Sequence, residues 1–144
     1  MKLTKSTDFA LRLLTHLSIV NRKNSTPELA EQLNIPYNHL TKLVQGLTKV
    51  GFLQTKRGKK GGVSLIVSPN DITLKSVINV TEGATQLVEC FERDNTCEFE
   101  QKCHIKTGIF SVQEKIDQLF ESVSLYDLMQ EKNKCNCNGV LTQK

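Results

Sequence analysis

Apolar residues recur at three- and four-residue steps from Leu3 to Val20. Phe9, Leu13, Leu17 and Val20 form a stripe that Ala10 and Leu14 widen. That spacing predicts an amphipathic helix. A polar break at residues 21–24 is followed by Ser25-Thr26-Pro27-Glu28. This quartet reads as a helix start, because Ser25 can cap, Pro27 suits the first turn, and Glu28 stands three residues after the cap, as a capping box requires. Leu29, Ala30 and Leu33 supply a short apolar face. Asn34-Ile35-Pro36 predicts a tight turn, since a proline pushes the residue before it out of the helical region. A further helix is expected from Tyr37, with Leu40, Leu43, Val44, Leu47 and Val50 inward and Asn38, His39, Thr41, Lys42, Gln45 and Lys49 outward.

Two short strands follow, Phe52–Lys56 and Val63–Val67, with Val63, Leu65 and Val67 alternating. Between them lies the basic, glycine-bearing hairpin Arg57-Gly58-Lys59-Lys60-Gly61-Gly62. Its glycines permit turns, and their missing side chains permit close approach to a duplex. Helix, helix-turn-helix and hairpin in that order predict a winged helix, whose second turn-linked helix enters a major groove while the hairpin reaches a narrow minor groove. Thr73 to Val80 predicts one more short helix. The candidate DNA contacts are Ser25, Tyr37, Asn38, His39, Thr41, Lys42, Gln45, Arg57, Gly58, Lys59 and Lys60, and the expected partner is an operator in double-stranded DNA.

Charge strengthens this reading through its distribution. The net charge of the 144-residue chain is only +4. Between Gln32 and Asn70, however, no acidic residue occurs, against six basic ones: Lys42, Lys49, Lys56, Arg57, Lys59 and Lys60. From Asp71 onward the balance reverses to eight basic and twelve acidic residues. The acid-free stretch coincides with the expected recognition helix and wing, where phosphates would lie. No apolar run approaches the roughly 18–20 residues of a membrane span, and the first residues lack a secretory pattern, so a cytoplasmic location is expected. No nucleophile triad, cofactor fingerprint or phosphate loop suggests an enzyme.

The cysteines are Cys90, Cys97, Cys103, Cys135 and Cys137. An odd count without an export signal argues against a disulfide framework. The segment from Cys90 to Cys103 is mostly polar, which suits metal ligands better than core thiols. Zinc pairs commonly stand two to four residues apart, and the gaps here are six and five. An iron–sulfur cubane needs a terminal ligand on each of its four irons, so three thiolates leave one iron for an outside ligand. His104 adjoins Cys103 and is a weak candidate. A [2Fe–2S] redox site or a structural zinc site remains the alternative. Cys135 and Cys137 lie in a polar tail.

The opening Leu-Thr-Lys-Ser-Thr-Asp-Phe-Ala-Leu-Arg, the Ile-Pro-Tyr-Asn-His-Leu turn and helix, the Arg-Gly-Lys-Lys-Gly-Gly hairpin and the triple cysteine together resemble one family. It is the family of bacterial winged-helix iron–sulfur regulators that includes IscR and NsrR, and the resemblance runs to about Gln130. The nitric-oxide-sensing NsrR type is the nearer match. An IscR-like site would want a histidine three residues beyond the last cysteine, where this chain has Lys106. The resemblance implies one [4Fe–4S] cluster per subunit, held by Cys90, Cys97, Cys103 and, from the other subunit, Asp8. Without it, Asp8 reads as an exposed helix carboxylate paired with Arg12. It further implies a homodimeric transcriptional repressor with nitric oxide as its signal.

After His104, Ile105, Ile109, Val112, Ile116, Leu119 and Val123 recur at alternating steps of four and three, a heptad seam. It reads as a dimerisation helix, with packing on its own domain as the plainer possibility. Ser124 to Met129 predicts a short helix that can fold back. The expected fold is mainly α: a winged helix-turn-helix domain with a β-hairpin wing, plus a long C-terminal dimerisation helix. Residues 1–82 would form the DNA-binding domain, 83–104 the cluster-binding loop, 105–131 the dimerisation and return helices, and 132–144 a flexible tail.

Overall fold

Thr4 Oγ1 accepts the N–H of Thr7 and opens helix α1 (Lys5–Ile19), which ends at Val20 in extended conformation. The structure, a computed structural model, describes residues 2–20, 23–58, 61–83, 86–88 and 103–130. Helix α2 (Thr26–Leu33) starts at the expected capping box: Ser25 Oγ accepts the Glu28 N–H, while Glu28 Oε2 accepts the Ser25 N–H at 2.8 Å. It ends on Asn34, held left-handed at φ 51°, ψ 48°. Asparagine tolerates that region well. Ile35 then turns into the core, 3% exposed, and α3 (Tyr37–Lys49) begins after Pro36.

Strands β1 (Leu53–Lys56) and β2 (Gly62–Leu65) pair antiparallel, Leu53 opposite Leu65 and Lys56 opposite Gly62. The hairpin is anchored by a bridge from Asn24, whose carbonyl accepts the Val63 N–H at 2.8 Å. Gly62 is required there. It sits at φ 143°, and a Cβ would come within 2.8 Å of the Asn24 carbonyl oxygen. Helices α1–α3 with this hairpin form the expected winged helix.

A 3-10 turn (Pro69–Asp71) leads into α4 (Leu74–Glu82), capped by Thr73. The long α5 (His104–Ser122) packs on α4, and α6 (Leu125–Gln130) folds back onto the 3-10 turn and α1. Two backbone bonds fix that return: Leu74 N–H to Val123 O at 2.8 Å, and Leu125 N–H to Ile72 O at 2.7 Å. Leu125 consequently lies in the same core as Ala10, Leu13, Leu14, Leu29, Leu40, Leu47, Leu53, Val63, Ile72 and Val77. The return helix α6, through Leu125 and Met129, therefore shares the apolar interior of the winged helix.

The periodicity fails at Val50, expected inward but 49% exposed. Val50 is the residue after the last helical turn, and Gly51 at φ 83° redirects the chain, so helical spacing no longer governs where its side chain points. On α5 the heptad residues Ile105, Val112 and Leu119 are exposed, at 72%, 48% and 61%. The helix instead meets α4 through the neighbouring face, where Gln113 is buried and Lys75 approaches Asp117 and Glu121. Ile109, Ile116 and Val123 of the same stripe are half-buried, so one edge of it leans on the chain's own domain and the edge with Ile105, Val112 and Leu119 is open. Among the described residues no helix is long and apolar enough to cross a membrane. The expected tail, 132–144, lies outside the described residues, as do Cys135 and Cys137.

Candidate nucleic-acid interface and metal ligands

Helix α3 buries Leu40, Leu43, Val44 and Leu47 and turns its other side to solvent. Tyr37 (52% exposed), Asn38, Lys42, Gln45 and Lys49 stand on that open side. Their amide and ammonium groups have the chemistry for base edges and phosphates respectively. Thr41 is half-buried and its hydroxyl donates back to the Tyr37 carbonyl at 2.9 Å. His39 differs from its neighbours. It is half-buried, its Nε2 hydrogen-bonds Ser6 Oγ at 3.0 Å, and its ring stands edge-on to Phe9.

Ser25 is used twice within its own cap, donating to Glu28 Oε2 at 2.8 Å as well as accepting from the Glu28 N–H. It borders a groove of about 410 Å³ between the start of α2 and the hairpin, lined also by Lys23, Thr26, Lys56, Gly58 and Gly62. Two lysines and the Glu28 carboxylate thus share this groove, and Glu28 already accepts the Ser25 N–H and hydroxyl. Arg57 and Gly58 are exposed at the hairpin tip, Gly58 at φ 104°. Lys59 and Lys60 lie outside the described residues.

Of the expected metal ligands, Cys90 and Cys97 also lie outside the described residues. Cys103 is the N-cap of α5. Its partly exposed Sγ accepts the Lys106 N–H at 3.4 Å. A sulfur at the positive end of a 19-residue helix, with an amide N–H directed at it, is placed as an anionic thiolate ligand would be. Asp8 lies in the first turn of α1 with its side chain 51% exposed, paired to Arg12 Nη2 at 2.8 Å. A half-exposed carboxylate in an ion pair of this kind is held weakly and can exchange partners. Among the described residues no three His, Cys, Asp or Glu side chains gather into a metal site. Cys103 and Asp8 each carry donor chemistry, sulfur and carboxylate, that iron accepts.

The turn bearing Asp8 is firmly seated. Thr7 is fully buried, and its Oγ1 lies 2.7 Å from Thr81 Oγ1 and donates to Glu82 Oε1, which also accepts the Thr4 N–H at 2.9 Å. The Thr7 hydroxyl foremost, and then the Thr4 N–H, hold the Glu82 carboxyl below its usual range. This clasp joins the start of α1 to the end of α4, from which the chain runs on toward the cysteines. Sequence reading overlooked it. The available signal was Thr7, a polar residue on the stripe of Ala10, Leu14 and Leu17.

Comparison with known proteins agrees with this architecture. The family described as Rrf2, iron-dependent transcriptional regulator, matches residues 3–131. The HTH-type transcriptional regulator NsrR of Shouchella clausii is 36% identical over 132 residues, covering 90% of this chain and 89% of that relative. The HTH-type transcriptional repressor NsrR of Streptomyces coelicolor is 30% identical over 132 residues, covering 90% and 88%. The solved structure of CymR, the global cysteine regulator of B. subtilis, shares the fold. Its TM-score is 0.69 at 24% identity, covering 92% of this chain and 99% of that one.

Proposed function

The chain belongs to the Rrf2 family of iron-dependent transcriptional regulators, and on that premise we propose that it is a cytoplasmic, homodimeric repressor whose operator binding depends on a [4Fe–4S] cluster and is lost to nitric oxide. Its relatives are transcriptional regulators, not enzymes. The observation that carries the finer reading is the position of Cys103. It caps α5, on which Ile105, Val112 and Leu119 are exposed, so one helix would carry both a ligand sulfur and a dimer surface. The names of the NsrR relatives support the same reading.

When bound, the cluster supplies iron that reacts with nitric oxide. Cys90, Cys97 and Cys103 would hold it from one subunit and Asp8 of the partner subunit would complete the set. A carboxylate is the hardest and most exchangeable donor among these four. As the fourth ligand, Asp8 would tie the first helix of one subunit to the thiol segment of the other. Without that tie, α1 and the recognition helix packed on it would be free to shift. Asn38, Lys42 and Gln45 then no longer meet two half-sites at the required spacing. A hundredfold loss of affinity needs only about 2.7 kcal/mol of differential binding.

Anaerobically prepared brown protein is titrated with nitric oxide while operator binding is followed by band shift. Binding is expected to disappear in step with the change in the cluster spectrum. Binding that persists after the spectrum has changed ends the proposal. Colourless protein containing zinc would favour the structural-zinc alternative.

A further inference from the structure

The first turn of α1 and the first turn of α3 meet at His39. Nε2 is 3.0 Å from Ser6 Oγ, and the ring lies edge-on to Phe9, with centroids 5.2 Å apart and planes at 86°. Ser6 and Phe9 bracket Asp8 along the chain. On the other side, His39 stands between Asn38 and Lys42, and with Pro36 these residues line one shallow cavity of about 320 Å³. Asn38 and Lys42 are exposed, whereas His39 is half-buried. One imidazole thus touches the Asp8-bearing turn and sits within the base-reading turn.

We infer that His39 is a positioning residue that sets the recognition helix against α1 and transmits displacement of the Asp8 turn to Asn38 and Lys42. The inference rests on the cluster-dependent reading for its signal, but not for its geometry. A hydrogen bond and an edge-on ring contact both weaken steeply over about 1 Å. When α1 moves by that much, the contacts either drag α3 along or break. The same clasp explains why this residue, expected to meet DNA, is turned toward the protein.

The test measures operator affinity and its salt dependence for the full-length protein, cluster-loaded and after nitric oxide. The set comprises the parent, Ser6→Ala, His39→Phe, His39→Ala and the Ser6→Ala/His39→Ala pair. Ser6→Ala removes only the hydrogen bond, and His39→Phe keeps the edge-on ring if the histidine substitution to alanine unsettles the fold. Ser6→Ala and His39→Phe are each expected to narrow the loaded-to-treated affinity ratio by about three- to tenfold, the span of one lost hydrogen bond. The double variant should be no worse than His39→Ala, and the salt slope should stay that of the parent. The inference is overturned if Ser6→Ala binds like the parent while the His39 variants weaken both forms equally, relax choice at one base pair or flatten the salt slope. Should the parent itself show no difference between loaded and treated protein, the cluster-dependent function falls. Non-additivity of Ser6 and His39 with an unchanged salt slope then still supports positioning, and additivity overturns it.

Discussion

The side-chain carbonyl of Gln113 accepts the backbone N–H of Leu87 at 2.9 Å. Gln113 is only 8% exposed, and its amide nitrogen donates to Asp117 Oδ1 at 3.0 Å. The chain three residues before Cys90 is therefore moored to the helix that Cys103 caps.

Replacing Gln113 by methionine keeps the volume and removes both bonds. Stability to urea should fall by about 1–3 kcal/mol, the cost of unpairing a partly buried N–H. Cluster absorbance should also decay faster in air. Unchanged stability and lifetime would show that the mooring constrains nothing.

Cys103 has two separable roles. In Cys103→Ser the hydroxyl can still accept the Lys106 N–H, so α5 should form and helical circular dichroism should be retained. Iron and sulfide, about four of each per chain for a cubane, should be largely lost. Asp8→Ala should instead assemble a cluster with a shorter lifetime. A lifetime equal to the parent's removes Asp8 from the ligand set.

At the DNA surface, Arg57→Ala should weaken binding to all sequences and reduce the salt slope by about one unit. Asn38→Ala should relax discrimination at one base pair by about 1–3 kcal/mol while leaving the slope alone. Exchange of these two signatures would reverse the assignment of wing and recognition helix.

Leu119 is 61% exposed on the outward stripe of α5. Leu119→Lys should shift sedimentation from dimer to monomer and lower operator affinity, because two half-sites are no longer bound together. A variant that stays dimeric places the interface elsewhere.

Asp127 reads out pH. The Ser124 hydroxyl foremost, and then the Ser124 N–H, bond its carboxylate and hold it below its ordinary value of 3.8. A lowered value means that the charged form stabilises the fold. That contribution is full above 3.8 and disappears as pH falls through the lower folded value. Parent cluster-free protein should therefore melt above Asp127→Asn at neutral pH, and the two should converge only well into acid. A gap that persists at the acid end would place the effect in packing.

Much of the fold was legible because its causes are local. The capping box at Ser25, the turn at Asn34-Ile35-Pro36 and the glycine-bearing hairpin each depend on residues within a few positions of one another. The heptad stripe of α5 was legible too, although which of its residues stay exposed was not. That depends on Gln113 and Asp117 meeting Leu87 and Lys75 from other parts of the chain. His39 shows the same division. Helical spacing put it on the polar side of α3, but Ser6 and Phe9, thirty or more residues earlier, hold its ring against α1.

By itself the sequence determined which segments are helix, turn and hairpin, where positive charge gathers, and where thiol and carboxylate side chains stand along the chain, since these follow from backbone preference, periodicity and residue chemistry. Tertiary packing alone decided that Thr7 and Glu82 clasp α1 to α4, that His39 hydrogen-bonds Ser6 and meets Phe9, and that Ile105, Val112 and Leu119 stay exposed. Each of those contacts joins residues far apart in the chain, and a partner brought by folding leaves no mark in local spacing.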